Sequence, residues 1–470
     1  MIKSRVSSKY NAWNRGITAI VHFILRQDEL AATIIIAVHL YVDWYLGLAF
    51  VAQILTLGLL FIIFLNRSSL RPWVKPRALW LWILFLVLAI FPATHGISLR
   101  DSAYYYFNVV FNALLIFWLG LAIAQDVESI QGLFKMLSIF AALLAIHTII
   151  EAKTGVLLFK TTRYDAALQA LSNFKMYGTN ALRAQGFFLN PDTNGTFFAI
   201  ALFLPLVLFI ESLSYWQKLL YLVEMFLILL ALLFTYSTGA WLAMMVGLAT
   251  SAALVGRRRY RILIPSSVLA AAITFIVFFP AQVANQIKHI QAPNELSLRV
   301  AAWLTGARVI YSHPLTGLGL GRYVYISRAE PYRVLAQSIP LTHPQNAYLE
   351  LAALGGLPVA IAFLVLLSFT LWQAFYLWKK GDEHARSLFA GGIAVVIALS
   401  FNSLAAAGWT CPPLGAIGWL ILGVMSSPFF AKKQITDHTV GNAPQAVEGP
   451  KHTSDEECEN TKETLQSLEQ

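Results

Sequence analysis

Long apolar segments occur along most of the sequence and restrict the fold to one class. A helix that spans a membrane needs about 20 mostly apolar residues. Twelve segments approach this, at roughly 29–45, 47–66, 78–95, 103–124, 130–151, 191–211, 217–235, 237–256, 262–280, 346–378, 387–404 and 411–430. With 58% hydrophobic and 12% charged residues, the 470-residue chain is too apolar for a soluble protein. We predict an all-α polytopic membrane protein with about twelve transmembrane helices.

Basic residues in the short loops predict the orientation of these helices. Cytoplasmic loops of membrane proteins are enriched in Lys and Arg. Basic clusters follow the second, eighth, tenth and twelfth segments: Arg67, Arg71, Lys75, Arg77, Arg257, Arg258, Arg259, Arg261, Lys379, Lys380, Arg386, Lys432 and Lys433. With twelve spans, all of these clusters lie on one side of the membrane. We therefore predict that both termini are cytoplasmic.

Two longer loops, about 152–190 and 281–345, are then external, and both are basic. The basic residues are Lys153, Lys160, Arg163, Lys175 and Arg183 in the first loop and Lys288, Arg299, Arg308, Arg322, Arg328 and Arg333 in the second. One interpretation is tolerance, because long loops cross the membrane regardless of charge. The other is a cationic cleft that holds an anion such as a pyrophosphate.

The larger external loop is predicted to be partly helical. Ser297 is a candidate N-cap for a helix in which Arg299 and Trp303 lie one turn apart on one face. His313-Pro314 should end this helix, because the residue before a proline disfavours helical geometry. The glycines of Leu318-Gly319-Leu320-Gly321 would let the backbone approach either a ligand or another helix.

Charge also divides the chain into a basic membrane domain, 1–433, and a tail, 434–470. The tail has eight acidic and two basic residues, and its composition predicts a disordered cytoplasmic segment. The preceding part has 32 basic and 16 acidic residues, which favours anionic lipid or phosphate partners over nucleic acid. The only cysteines, Cys411 and Cys458, exclude a disulfide framework and a cysteine-based metal site.

Several motifs are weak alone but informative in this order along the chain. They are Arg299-x-x-x-Trp303, His313-Pro314-Leu315-Thr316-Gly317, His343-Pro344-Gln345-Asn346-Ala347-Tyr348-Leu349-Glu350 and Gly355-Gly356-Leu357-Pro358, preceded by Arg183-Ala184-Gln185-Gly186, Asn190-Pro191-Asp192 and Tyr236-Ser237-Thr238-Gly239-Ala240. Over roughly 180–360 this arrangement resembles the O-antigen ligase and polymerase family. Gln345 stands where the family often has its histidine, with His343 two residues earlier, and Thr238 stands where it often has arginine.

The resemblance implies a bacterial inner-membrane enzyme with its active site on the periplasmic face. Such enzymes move a saccharide from undecaprenyl pyrophosphate to a saccharide or glycolipid acceptor, without a cofactor. Both ligation to lipid A-core and polymerisation of a polysaccharide stay open for this chain. No Asp/Glu cluster with metal-binding spacing occurs in the external loops, so we expect a metal-independent reaction.

The chemistry of this reaction suggests roles for individual residues. Arginine binds a pyrophosphate in bidentate fashion, and most strongly as negative charge builds up. We assign Arg183 and Arg299 to the pyrophosphate, with Arg322 as a third candidate. A sugar hydroxyl attacks, and a positioned His343 is the candidate general base. Trp303, Gln345, Asn346 and Tyr348 are expected to support the site.

A transporter or flippase of lipid-linked saccharides is the main alternative. Glu224, His147 and Glu151 lie within predicted spans, where ionisable groups can form proton relays. Transporter sites lie near the membrane midplane, whereas the polar motifs here lie in external loops. The enzyme is therefore favoured, and Glu224 is interpreted as a satisfied polar group inside the bundle. A structural anchor for a polysaccharide assembly complex is a third interpretation.

Overall fold

Apolar helices make up most of the computed structural model. It describes residues 28–39, 49–67, 78–155, 183–255, 273–291, 293–334 and 343–427, with isolated positions at 262, 264, 266 and 270. The predicted tail, 434–470, lies outside these residues. Helices in the described part are α1 Asp28–Val38, α2 Ala49–Arg67, α3 Leu79–Thr94, α4 Leu99–Ile123, α5 Val127–Thr154, α6 Pro191–Glu211, α7 Tyr215–Thr235, α8 Thr238–Leu254, α9 Pro280–Gln291, α10 Pro293–Ser312, α11 Val324–Arg328, α12 Ala347–Lys380, α13 Glu383–Asn402 and α14 Pro412–Met425.

The described helices confirm the predicted all-α polytopic membrane fold. Among them, six are long and apolar enough to cross a membrane, and five more are apolar but shorter. These eleven helices match eleven of the twelve predicted spans. The remaining span, 262–280, lies partly outside the described residues and is helical at 273–278. Helices suit a bilayer because each satisfies its own backbone hydrogen bonds.

Close helix contacts depend on small residues, as is usual between membrane helices. Where α4 crosses α14, a Cβ atom built at Gly120 would lie 2.9 Å from the backbone nitrogen of Val424. A Cβ built at Gly423 would lie 2.9 Å from the carbonyl carbon of Phe117. The two helices therefore touch through backbone, and larger residues at either position would separate them.

Helix ends meet on two opposite faces of the bundle. On one, which we call the site face, the Ser237 hydroxyl at the start of α8 contacts Asp192 at the start of α6, at 2.9 Å. The backbone N–H of Ala347, at the start of α12, donates to Ser403 after α13 at 2.9 Å. On the opposite face, Trp378 near the end of α12 donates to the last residue of α8, Leu254, at 3.2 Å. The described parts of both predicted external loops lie at the site face.

The helix predicted in the larger loop exists, with one boundary corrected. α10 ends at Ser312, directly before His313-Pro314, as expected. It begins at Pro293, so Ser297 lies within the helix and the N-cap prediction is wrong. Proline is favoured in a first helical turn because its missing N–H has no helical partner there. Arg299 and Trp303 keep their one-turn spacing.

The glycine-rich stretch after α10 packs on a kink in α12. Pro358 has no N–H to donate to Leu354, four residues earlier, and the Leu354 carbonyl instead accepts from Gly319 at 3.0 Å. Gly356 adopts φ +80° at the kink. The N–H of Leu357 donates to the carbonyl of Pro314 at 2.7 Å. Of the two uses predicted for these glycines, approach to a helix is therefore the one observed.

Substituting Gly356 with alanine is expected to destabilise the protein. Its φ of +80° strains an alanine, and a Cβ there would lie 2.6 Å from the carbonyl carbon of Leu315. Alanine in this backbone conformation should lower the free energy of unfolding by more than about 1 kcal/mol. The loss is measured as a lower thermal unfolding temperature in detergent. Gly58→Ala in α2 is the control, because no described atom outside its own helix backbone lies within 4 Å of its Cβ position. Equal unfolding temperatures for the two variants would contradict this account of the kink.

Candidate functional site

Asp192 occupies the centre of the polar cluster at the site face. The side chain of Asn190 caps α6 by accepting the backbone N–H groups of Asp192 and Thr193, at 2.9 and 3.0 Å. Pro191 follows in the first turn. This cap fixes the backbone of Asp192 and places its carboxylate at the positive end of the helix dipole, which stabilises negative charge.

Arg183 is held against that carboxylate by two well-formed contacts. Its Nη2 lies 2.6 Å from Asp192 Oδ1, and its Nε donates to the carbonyl of Thr235 at 3.0 Å. The Ser237 hydroxyl donates to the same Asp192 oxygen at 2.9 Å. The Arg183 side chain is 8% exposed, whereas that of Asp192 is 35% exposed. The pair therefore lies at an opening, with the arginine on the inner side.

Glu151 fixes the segment that carries Arg183. Its two carboxylate oxygens accept the backbone N–H groups of Gln185 and Gly186, at 2.9 and 2.7 Å. His147, one turn earlier in α5, contacts the ring of Phe187 edge-on, with centroids 6.4 Å apart. Both ionisable residues of α5 considered for a proton relay thus hold the Arg183 segment in place. Glu224, the third, is buried and accepts a hydrogen bond from Ser138.

Arg299, on α10, is the second arginine near the same carboxylate. It lies close enough to Asp192 for electrostatic attraction. Its guanidinium is also near the start of α8, since a Cβ built at Gly239 would lie 3.9 Å from Arg299 Nη1. Two arginines that are far apart in the sequence are therefore gathered on one aspartate. With one negative charge between two positive ones, the cluster keeps an excess of positive charge.

His343 lies beside this cluster in the turn before α12. Its side chain is partly buried, and Asp192 is within electrostatic range. Burial lowers the pKa of His343 below its usual value, and the attraction of Asp192 opposes this shift. Burial therefore favours the neutral form of the ring. Its Nδ1 accepts the backbone N–H of Gln345 at 3.0 Å.

The predicted supporting residues hold the turn that contains His343. Trp303 Nε1 donates to the carbonyl of Gln345 at 3.2 Å, and Gln345 itself has φ +55°. Asn346 caps α12 by accepting the N–H groups of Tyr348 and Leu349, at 2.9 and 3.0 Å. The Tyr348 hydroxyl donates to the carbonyl of Ser400 in α13 at 2.8 Å. All four predicted residues thus contact the turn or anchor it.

Arg322 lies in different surroundings. It is exposed, and its guanidinium stands over the rings of Tyr104 and Tyr323, with 5.9 and 5.5 Å to the centroids. Arg328, from the same loop, donates to the carbonyls of His95 and Leu318, at 2.6 and 2.7 Å. Part of the basic charge of this loop therefore serves packing between α11 and the end of α3. The pyrophosphate role of Arg322 stays a prediction.

Asp192 and Glu350 are two carboxylates whose roles do not follow from the sequence. The only local signal at Asp192 is the Asn190-Pro191-Asp192 start of a helix. Glu350 lies one turn into α12, where Thr410 donates to Oε2 at 2.7 Å and Tyr105 donates to Oε1 at 3.4 Å. Both carboxylates take partners from helices distant in the sequence, so local patterns could not reveal their function.

These features define a class of protein: a helical membrane protein with two arginines, an aspartate and a histidine gathered at one face. A sequence model of the family described as O-Antigen ligase matches residues 223–364. The chain thus carries an O-antigen ligase domain, and its resemblance to the O-antigen ligase and polymerase family is confirmed. The match supports the role of a ligase or polymerase and indicates a glycosyltransferase-like enzyme. A search of curated proteins found no match to the chain.

Proposed function

We propose that this protein transfers a saccharide from undecaprenyl pyrophosphate to a saccharide or glycolipid acceptor. The observation that carries the proposal is the gathering of Arg183, Arg299 and His343 around Asp192 at one end of the membrane helices. A lipid carrier keeps its pyrophosphate at the membrane surface, which is the depth of helix ends. The reaction takes place at the periplasmic face of a bacterial inner membrane and needs no metal, because the arginines supply the positive charge.

Arg183 and Arg299 both bind the pyrophosphate in this proposal. Among the described residues, Arg183 uses Nε and Nη2 for Thr235 and Asp192, so Nη1 is the group assigned to the ligand. Arg299 belongs to α10, and its guanidinium lies near the start of α8 on the same side of the protein. The starts of α6, α8 and α12 also lie at the site face, and helix N-termini favour anions. Together they stabilise the charge that develops on the leaving group.

His343 is the proposed catalytic residue, and the neighbouring residues fix the turn that carries it. Trp303, Gln345, Asn346 and Tyr348 fix this turn against α10 and α13, as described above. A preorganised site of this kind does not have to reorganise during the reaction.

A direct assay separates this function from transport. Purified protein, in detergent, is given a lipid-linked saccharide donor and a saccharide or glycolipid acceptor. A new glycosidic product that depends on both substrates supports transfer. Binding of the donor without any product, with donor movement across a reconstituted vesicle, would instead establish a flippase.

Ligase and polymerase are distinguished by what accumulates when the protein is lost. A missing polymerase leaves single repeats on the carrier lipid. A missing ligase leaves long chains on the carrier lipid and none on the outer glycolipid. The orientation predicted from the basic loops is compatible with both reactions, because both use the same donor at the same face.

The proposed orientation predicts opposite accessibility at two exposed positions. Glu330 is on the described part of the larger loop, and Asp382 lies between α12 and α13. In a Cys458→Ser background, Glu330→Cys should react with a reagent that cannot cross the membrane, added from the periplasm. Asp382→Cys should react only after the membrane is opened. The reverse pattern would overturn the orientation.

A further inference from the structure

The turn before α12 determines which nitrogen of His343 carries a proton. A backbone N–H can only donate, and that of Gln345 lies 3.0 Å from His343 Nδ1. Nδ1 therefore offers its lone pair to the backbone. A neutral imidazole has one N–H, which must then be on Nε2. In this arrangement the ring presents a donor, not an acceptor, at its outer nitrogen.

Contacts on both sides of Gln345 keep that hydrogen bond in place. The carbonyl of Gln345 accepts from Trp303 Nε1 at 3.2 Å. Pro344 is buried and packs on α10, where a Cβ built at Gly306 would lie 3.2 Å from its side chain. Asn346 then fixes the first turn of α12. Freeing Nδ1 would require the turn to leave α10.

We propose that His343 acts as a hydrogen-bond donor through Nε2 to the leaving pyrophosphate, and not as the general base expected from the sequence. This inference rests on the proposed transfer function. The acceptor hydroxyl oxygen forms a bond to the anomeric carbon of the donor sugar, and the bond from that carbon to the pyrophosphate oxygen breaks. The pyrophosphate leaves with the electron pair. The proton of the hydroxyl passes to one of the pyrophosphate oxygens.

The charges around His343 are compatible with this role. Asp192 of α6 is the carboxylate that faces it, and Arg183 and Arg299 interact with the same carboxylate. A neutral ring donates from Nε2, and the Gln345 N–H on Nδ1 opposes the addition of a second proton to the ring. A donor therefore keeps working as the pH falls, whereas a base loses its function once protonated.

Two amide variants distinguish the role of Nδ1 from the role of Nε2 in His343. The amide of His343→Asn lies near the Nδ1 position and can accept the Gln345 N–H, but it does not reach the Nε2 position. The amide of His343→Gln reaches the Nε2 position with a donor. We expect His343→Asn to lower kcat by about 10²–10³-fold, the usual loss for a donor to a developing oxyanion. His343→Gln should stay within about tenfold of the wild type, because it keeps a neutral hydrogen bond.

The pH profile gives a second, independent readout. The ratio of wild-type kcat/KM to that of His343→Gln cancels titration of the substrates and of the other site residues. The donor role predicts that this ratio stays constant as the pH falls from about 8 to about 5. A general base predicts that it falls tenfold per unit below the histidine pKa. If His343→Gln does not accumulate in the membrane, the wild-type profile is compared with that of His343→Asn instead, which also lacks the titrating ring.

Three results would overturn the proposal. Equal losses in both variants, with a ratio that falls in acid, would establish a base. Full transfer by His343→Asn would show that His343 only holds the turn. A larger loss in His343→Gln than in His343→Asn would show that acceptance of the Gln345 N–H is the essential property. Absence of transfer by the wild-type protein itself would instead count against the proposed function.

Discussion

Arg299→Lys is expected to abolish most of the transfer activity. Lysine keeps the positive charge but loses the planar fork that binds a phosphate through two parallel hydrogen bonds. The interaction is strongest when charge develops on the leaving pyrophosphate, so kcat should fall by about 10²–10³-fold. KM for the lipid-linked donor should rise as well. Arg183→Lys should act in the same direction and should also disturb the contact with Asp192.

The control is another arginine of α10. Arg308 is exposed, and its contact within the described residues is a long one, 3.4 Å to the carbonyl of Arg333. Arg308→Lys should leave transfer unchanged. Arg322→Lys tests the third predicted arginine, and a loss comparable with that of Arg299→Lys would bring Arg322 into the site. Full transfer by both Arg299→Lys and Arg183→Lys would make the pyrophosphate assignment wrong.

Asp192→Asn should produce a different kinetic signature. Asparagine keeps the shape but removes the charge that orients Arg183 and attracts Arg299 and His343. A hydrogen bond to a charged group contributes about 1.5–3 kcal/mol, so kcat should fall by about 10–10²-fold. The site becomes more positive at the same time, so KM for the donor should not rise. A purely structural aspartate would lower the amount of folded protein and leave kcat and KM of the remainder unchanged.

Ser237→Ala provides the graded comparison. It removes a single hydroxyl donor, at 2.9 Å from Asp192, and leaves the ion pair with Arg183 intact. This bond joins a neutral donor to a charged carboxylate, and the lower end of the usual range, about 1.5 kcal/mol, corresponds to a loss of about tenfold. If Ser237→Ala were as severe as Asp192→Asn, the hydroxyl rather than the carboxylate charge would be the decisive group.

The spans and the end of α10 could be predicted because they depend on local sequence. A helix in lipid must satisfy its backbone internally and expose apolar side chains, so twenty apolar residues are enough to indicate one. His313-Pro314 ended α10 as expected because proline acts on its immediate neighbour. The predicted start of α10 was wrong. Ser297 and Pro293 are both residues that suit the start of a helix, and the local sequence does not decide between them.

The site depended on contacts between distant segments. The sequence by itself determined that the chain has apolar spans, basic loops and the motifs that carry Arg183, Arg299 and His343. Only the tertiary structure brought two of these arginines onto Asp192, left Arg322 over tyrosine rings and turned Trp303 toward the Gln345 carbonyl. Hydropathy is a property of one turn or one span of the sequence. A carboxylate interacts with any charge that the fold brings within a few ångströms, however distant that charge is in the sequence. The fold class could therefore be inferred from local patterns, but the partners of each charged group could not.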